Sequence, residues 1–317
     1  MQRYLLRRLL LAVPTLIGMS IIIFALMRFM PGDIADQMIG DDVTFPNPET
    51  RAAIERRYGL DRPVHEQYFV WIGDTLRGDL GRSLRSGRDV SGEIVHRMPV
   101  TLQLGVMAIL VAVVIALPIG VVAAIWQDSW LDYVVRSASV FFLSAPNFWL
   151  GLMAITFGFV LIGWSPPVRY EHVWASPLTN LNMLWVPSII LGSHIGAKLM
   201  RFTRGQMLEV LREDYVRTAW AKGLRQRAIV TGHALRNALI PIVTLIGLEI
   251  PLIVGGTVVL EYIFSIPGMG SFLLNSINNR DYPVVQAIVL LIAVIVVVAN
   301  LLVDLLYAVI DPRIRYS

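Results

Sequence analysis

The sequence predicts an all-α polytopic membrane protein with six transmembrane helices and both termini in the cytoplasm, and three observations carry that prediction. Of its 317 residues, 56% are hydrophobic and only 16% are charged, and a mean hydropathy of +0.63 lies outside the range of soluble domains. Six apolar stretches reach or nearly reach the ~20 residues that a helix needs to cross a hydrocarbon core of about 30 Å. Arginine supplies most of the formal net charge of +4, and it clusters where an even number of spans would leave it on one side of the bilayer.

Residues 1–8 hold Arg3, Arg7 and Arg8 and lead into the first span, residues 9–30. That apolar run is longer than the ~7–15 residues of a cleaved signal peptide, and no A-x-A site follows, so it reads as a retained span. Residues 31–99 read as an extracytoplasmic loop with its own short helices. In "NPETRAAIERRYGL" an N-cap asparagine, a proline at the first helical position, an early glutamate and a late glycine predict a helix over 48–58. "DRPVHEQYFVWIGDTLRGDLG" repeats the arrangement, with Val64, Tyr68, Trp71, Ile72 and Leu76 as an apolar stripe that ends at Gly78. Together they predict a small cap on the outer face, with Tyr68 and Trp71 suited to the membrane interface.

Residues 100–310 form the transmembrane core, with spans expected over 101–126, 134–163, 184–199, 238–260 and 284–310. The stretch 184–199 is the weakest, being short and holding Pro187, His194 and Lys198, but an even count requires it and a lysine near a span end can snorkel. Six spans place the N-terminal arginines, the basic segment 203–236, and Arg313 and Arg315 of the tail 311–317 on one side, which the positive-inside rule makes the cytoplasm. Cysteine is absent, which excludes disulfides, thiolate metal sites and a cysteine nucleophile. The basic excess orients the chain and does not point to nucleic acid. No repeat of 20–50 residues is evident, which disfavours inverted-repeat secondary transporters.

The segment 203–236 is charged helix in a chain that otherwise belongs in lipid. "QMLEVLREDYVRTAWAKG" predicts a helix with Met207, Leu208, Leu211, Tyr215, Ala219 and Trp220 along one side. Gly223 stops it, since glycine tolerates the left-handed backbone that ends helices, and a second helix then rises through "AIVTGHALRNALIP" with Leu224 near the tip of the turn. Such a basic hairpin either rests on anionic headgroups or docks a cytoplasmic partner.

"RTAWAKGL" followed by "HALRNALIPIV" resembles the EAA coupling loop of ABC-type import permeases, in the form found in the dipeptide, oligopeptide and nickel permease family. Arg217, Thr218 and Ala219 match the Glu-Ala-Ala-like triplet, Gly223 the glycine and Pro241 the downstream proline, while Trp220 departs from the arginine or small polar residue expected there. "RYLLRRLLLAVPTLIGMSIIIFALMRFMPGD", "YGLDRPVHEQYFVWIGDTLRGDLGRS", "APNFWLG", "GGTVVLEYIFSIPGMGSFLLNSINNRDYPVVQA" and "NLLVDLLYAVIDPRIRY" extend the likeness, in order, over nearly the whole chain. The resemblance implies a type I ABC importer permease in the bacterial cytoplasmic (inner) membrane, half of a translocation pathway for peptides or related solutes such as glutathione or a nickel chelate. It implies a second homologous permease subunit, two cytoplasmic ATPase subunits and an extracytoplasmic substrate-binding protein as partners, within the lipid bilayer. ATP and Mg would be bound by the ATPases, since this chain has no G-x-x-x-x-G-K-[ST] loop. By the same resemblance the ATPase-coupling residues are Asp214, Tyr215, Arg217, Thr218, Ala219, Trp220, Ala221, Lys222, Gly223 and Leu224.

Ionisable groups at membrane depth are functional candidates by default. Glu249, in "GLEIP", either faces the pathway and meets a cationic cargo group or packs against a neighbouring helix. His194 and Lys198 are four apart near a span end, where His194 either lines the pathway or is structural. Asn300 and Asp304, also four apart, share one face of the last span and suggest an inter-helix polar contact. Glu261 marks the outer end of the fifth span and suggests gating or loop anchoring. No H-E-x-x-H, no G-x-S-x-G and no pair of mid-span aspartates is present, so catalytic, cofactor and metal residues are expected to be absent. An ion-gradient-driven secondary transporter is the alternative reading.

Overall fold

A computed structural model describes residues 2–29, 56 and 61–310. The helix expected over 48–58, and Arg313 and Arg315, lie outside those residues apart from Arg56. The elements are α1 (Gln2–Phe29), α2 (Val64–Leu76), α3 (Val90–Ile125), α4 (Trp130–Ser144), α5 (Asn147–Ile162), α6 (Pro177–Leu211), α7 (Asp214–Ala221), α8 (Leu235–Ile263), α9 (Met269–Asn278) and α10 (Tyr282–Ile310). A helical turn at Gln226–Ala228 and a π-helical stretch at Ile229–Ala234 lead into α8. Five helical segments among the described residues are long and apolar enough to cross a membrane, and a bent helix pair, counted as one broken span, makes a sixth.

The bent pair is the third expected span. Instead of one helix over 134–163, α4 and α5 meet at 101°. Ala145 is extended with ψ 124° because Pro146 follows it, and the residue before a proline is pushed out of the helical region. The helix must therefore stop and restart, with Asn147 as the first residue of α5.

The chain divides into two compact units, one of residues 1–99 with 272–298 and one of residues 100–271 with 299–317. In the first unit α2 lies along the second half of α1. Ser20 Oγ and Tyr68 Oη share a 2.8 Å hydrogen bond, the Phe24 ring meets Tyr68 edge-on at 5.5 Å and Trp71 at 5.7 Å, and Arg28 donates to Gln67. The predicted stripe thus divides: Tyr68 and Trp71 pack, while Val64 and Leu76 stay exposed. Further on, the buried Asp281 accepts from Ser83 Oγ at 2.5 Å and from the Leu84 backbone at 3.0 Å, tying the start of α10 to the glycine-rich turn before α3.

In the second unit α6 is the axis. The weakest span by hydropathy has 67% of its most apolar window buried, against 17% for α1. A helix surrounded by protein does not need an all-lipid surface, which explains its polar residues. It packs on α3 at backbone contact distance. A Cβ on Gly192 would stand 2.7 Å from the Ala108 carbonyl oxygen, and one on Gly120 would stand 2.8 Å from that of Met200, so neither position has room for a side chain. One core gathers Leu104, Met183, Leu184, Leu260 and Phe264; another gathers Ala116, Leu199, Met207, Ala238 and Ile242. Between α5 and α6, burial pushes the Tyr170 phenol up, while its oxygen accepts from Asn180 Nδ2 at 3.3 Å.

Candidate functional site: an exposed helical knuckle and a polar cavity

The hairpin begins with a break. One helix was expected to run through "QMLEVLREDYVRTAWAKG", but α6 ends at Leu211, Glu213 is extended, and α7 starts afresh at Asp214. The restart resets the helical phase, so the apolar side is not continuous. Val216 and Ala219 are buried with Ile229 against Leu211, whereas Tyr215 and Trp220 point outward at 41% and 48% exposure. Sequence reasoning missed Val216 and Ile229 as the foot of the hairpin, although the three-residue spacing of Val216 and Ala219 was the available signal.

The end of α7 is a double-bonded C-terminal cap. Gly223 has φ +76°, its amide donates to the Trp220 carbonyl at 2.9 Å, and the Leu224 amide donates to the Ala219 carbonyl at 3.3 Å. These are the two reverse bonds of a Schellman cap, which fixes the exit direction of the chain and satisfies carbonyls the helix leaves free. Asn237 Nδ2 donates to Tyr215 Oη at 2.7 Å and ties α7 to the base of α8. Nine of the ten coupling candidates, Asp214, Tyr215, Arg217, Thr218, Trp220, Ala221, Lys222, Gly223 and Leu224, are exposed, and only Ala219 is buried. An open groove of about 550 Å³ beside them is lined by Glu209, Arg212, Glu213, Asp214 and Arg217.

Behind the knuckle, Asp132 in the first turn of α4 is buried and receives both prongs of Arg204 on α6, Nε at 2.6 Å and Nη2 at 2.7 Å. Two parallel charge-assisted bonds fix orientation as well as distance. The sequence gives no local signal for this pair, whose members are 72 positions apart.

The second feature is a cavity of about 230 Å³ lined by Asn147, His194, Lys198, Glu249, Leu191 and Gly256. Lys198 Nζ lies 3.2 Å from each oxygen of Glu249, whose side chain is 8% exposed, and joins α6 to α8. His194 Nδ1 is 3.2 Å from the Phe142 carbonyl oxygen, which can only accept, so that nitrogen carries a proton. Asn147 Oδ1 is buried without a hydrogen-bond partner among the described residues. The two pathway candidates, Glu249 and His194, therefore share one cavity, and Lys198 and Asn147 join them.

Glu261 is fully buried and accepts from Thr101 Oγ1 at 2.7 Å and from the amides of Gly270 and Ser271 at 2.7 and 3.0 Å. A carboxylate at free helix amides is favourable, so Glu261 caps the start of α9. Asn300 is exposed, and the Asp304 side chain lies outside the described residues. Among the described residues no group of histidine, aspartate and glutamate side chains could hold a metal ion.

The family described as "Binding-protein-dependent transport system inner membrane component" matches residues 116–316, and the N-terminal part of such membrane components matches residues 1–105. Over the full length of both chains, the sequence is 40% identical to the oligopeptide transport system permease protein AppB of Bacillus subtilis. It is likewise 38% identical to the dipeptide transport system permease protein DppB of Alkalihalophilus pseudofirmus and 39% identical to the glutathione transport system permease protein GsiC of Salmonella typhi.

Proposed function

Since this chain belongs to the family of binding-protein-dependent transport system inner membrane components, we propose that it forms half of an ATP-driven import pathway for peptides or related small solutes and is driven through the knuckle at Gly223. It is a multi-pass permease subunit of an ABC-type importer, and not an ion-gradient-driven secondary transporter. Its role is transport without catalysis.

The single observation that carries the coupling is the pairing of exposure with rigidity. Nine of the ten candidate residues are accessible to a partner, yet the helix behind them is seated by Val216 and Ala219 and ended by two reverse bonds. A lever that yields transmits no displacement. A pair of ATPase subunits gripping this helix and its counterpart on a second homologous permease would, on closing around ATP, pass their motion through α7 to α6 and α8. An extracytoplasmic binding protein would deliver the cargo to the other face. ATP and Mg would sit in the ATPases.

Because the chain contains no cysteine, a single Leu224→Cys is a clean chemical handle. A thiol cross-linker in the assembled transporter is expected to join it to a nucleotide-binding subunit, with uptake sensitive to vanadate. Reaction of Leu224→Cys with an impermeant thiol reagent added outside intact cells would put the knuckle on the wrong side and end this reading.

A further inference from the structure

Resting on the peptide-import reading, we propose that the cavity at Asn147, Lys198 and Glu249 is a cargo subsite for a free ammonium group, the N-terminus of a peptide, and that Lys198 occupies the ammonium's place while the site is empty.

The acceptors are built and fixed. Both Glu249 oxygens lie 3.2 Å from one nitrogen, an end-on geometry that any ammonium can reproduce. Asn147 lines the same cavity, and its Oδ1 is buried and without a partner among the described residues. A buried acceptor without a donor is unfavourable, and it is satisfied by a ligand that brings N–H groups. Asn147 is there only because the chain stops and restarts at Pro146, so the unexpected bend in the third span has a chemical consequence. His194 gives its Nδ1–H to the Phe142 carbonyl, which leaves Nε2 as the ring's other polar atom.

The donor is replaceable. The Lys198 side chain is 36% exposed and the Glu249 side chain 8%, so the flexible lysine stem is the partner free to swing aside. As a mere clamp the pair is a poor device, because a buried ion pair is commonly matched by apolar residues of similar volume. A clamp also has no use for the third polar group. As a tethered stand-in, Lys198 keeps the carboxylate compensated until a cargo ammonium displaces it, and the displaced lysine, whose side chain is 36% exposed, carries its charge to the open side. At about 230 Å³ the cavity is smaller than a pocket for a whole drug-sized ligand, and it suits the head of a peptide whose remainder lies along the pathway.

The test uses the complete transporter in proteoliposomes, with dialanine and trialanine as cargo, since their only ammonium is the N-terminal one. Lys198→Met with Glu249→Gln removes both charges at nearly constant volume. It is expected to keep the melting temperature and the association with partner subunits while raising the KM of uptake about tenfold or more, the loss expected for a charged hydrogen bond. Asn147→Leu is expected to raise KM in the same direction, and Lys198→Met alone to lower it by removing the internal competitor. A double variant with wild-type KM for both peptides overturns the proposal. So does full recovery of KM and melting temperature by the exchange Lys198→Glu with Glu249→Lys, which marks a clamp. Failure of the wild-type transporter to take up either peptide with ATP is a separate result, and it would overturn the peptide-import reading itself.

Discussion

Asp132 and Arg204 meet as a two-pronged ion pair, with Nε to Oδ1 at 2.6 Å and Nη2 to Oδ2 at 2.7 Å, and Asp132 has no solvent exposure. The Asp128 amide donates a further bond to Asp132 at 3.0 Å, so the carboxylate is held from its own turn and from α6. Arg204 stands two turns before the break that leads into α7. The pair therefore anchors the helix that the proposed knuckle moves.

Asp132→Ala takes the two-pronged partner from Arg204, whose side chain is 18% exposed, and the 3.5 Å ion pair from Arg136. Asp132→Ala is expected to destabilise the protein by about 3–5 kcal/mol. Asp132→Ala combined with Arg204→Met should recover most of that loss, as thermal unfolding in detergent would measure. Arg204→Lys keeps the charge but loses the fork, and should fall between wild type and Asp132→Ala.

Gly223→Val places a β-branched residue at φ +76°, where an ordinary side chain costs about 1–2 kcal/mol and a branched one more. The two reverse bonds at the end of α7 should open. Membrane insertion and abundance should stay at wild-type level while ATP-dependent uptake falls at least tenfold. Gly223→Asn, which tolerates the left-handed region, should retain most uptake; normal transport by the valine variant would contradict the lever.

Glycines on α6 separate by their surroundings. Gly192→Val must push against the Ala108 carbonyl and Val111, and overpacking of this kind costs about 1–3 kcal/mol. Gly205 has open space around its missing Cβ, so Gly205→Ala should be neutral or gain about 0.5–1 kcal/mol from helix propensity. Equal melting shifts for the two variants would refute the close approach of α3 and α6.

Glu261→Ala strips acceptors from Thr101 Oγ1 and two backbone amides at the start of α9. Each buried donor left unmet costs about 1–3 kcal/mol. Faster amide hydrogen exchange at Gly270 and Ser271 is expected, with Glu261→Gln intermediate because it keeps one oxygen as acceptor. Unchanged protection at those amides in Glu261→Ala would show that the cap is not needed.

Much of this was legible from residue order. Gly223 announced a helix stop because a missing Cβ is a local property, and Glu249 drew attention because a carboxylate in an apolar run has no other explanation than a partner or a task. Lys198 is visible in the sequence as a snorkelling lysine or, with His194, as lining of the inner mouth. Its alternative, a carboxylate on another helix, lies 51 positions away. The split of the apolar side, with Val216 and Ala219 buried and Tyr215 and Trp220 exposed, is not legible in the sequence because the break at Arg212 and Glu213 resets the helical phase, and no periodicity carries across such a break.

The sequence by itself determined the polytopic run of apolar segments, the helix–glycine–helix form of the basic hairpin and the family likeness. Run length, hydropathy and the backbone freedom of glycine act over a few residues and do not wait for a fold. Only the tertiary structure decided that the least apolar span would be the buried axis, that a proline would bend the third span and deliver Asn147, and that Lys198 would find Glu249 and Arg204 find Asp132. Those outcomes depend on which helices approach closely enough to exclude lipid and water, and that is a property of packing between distant segments.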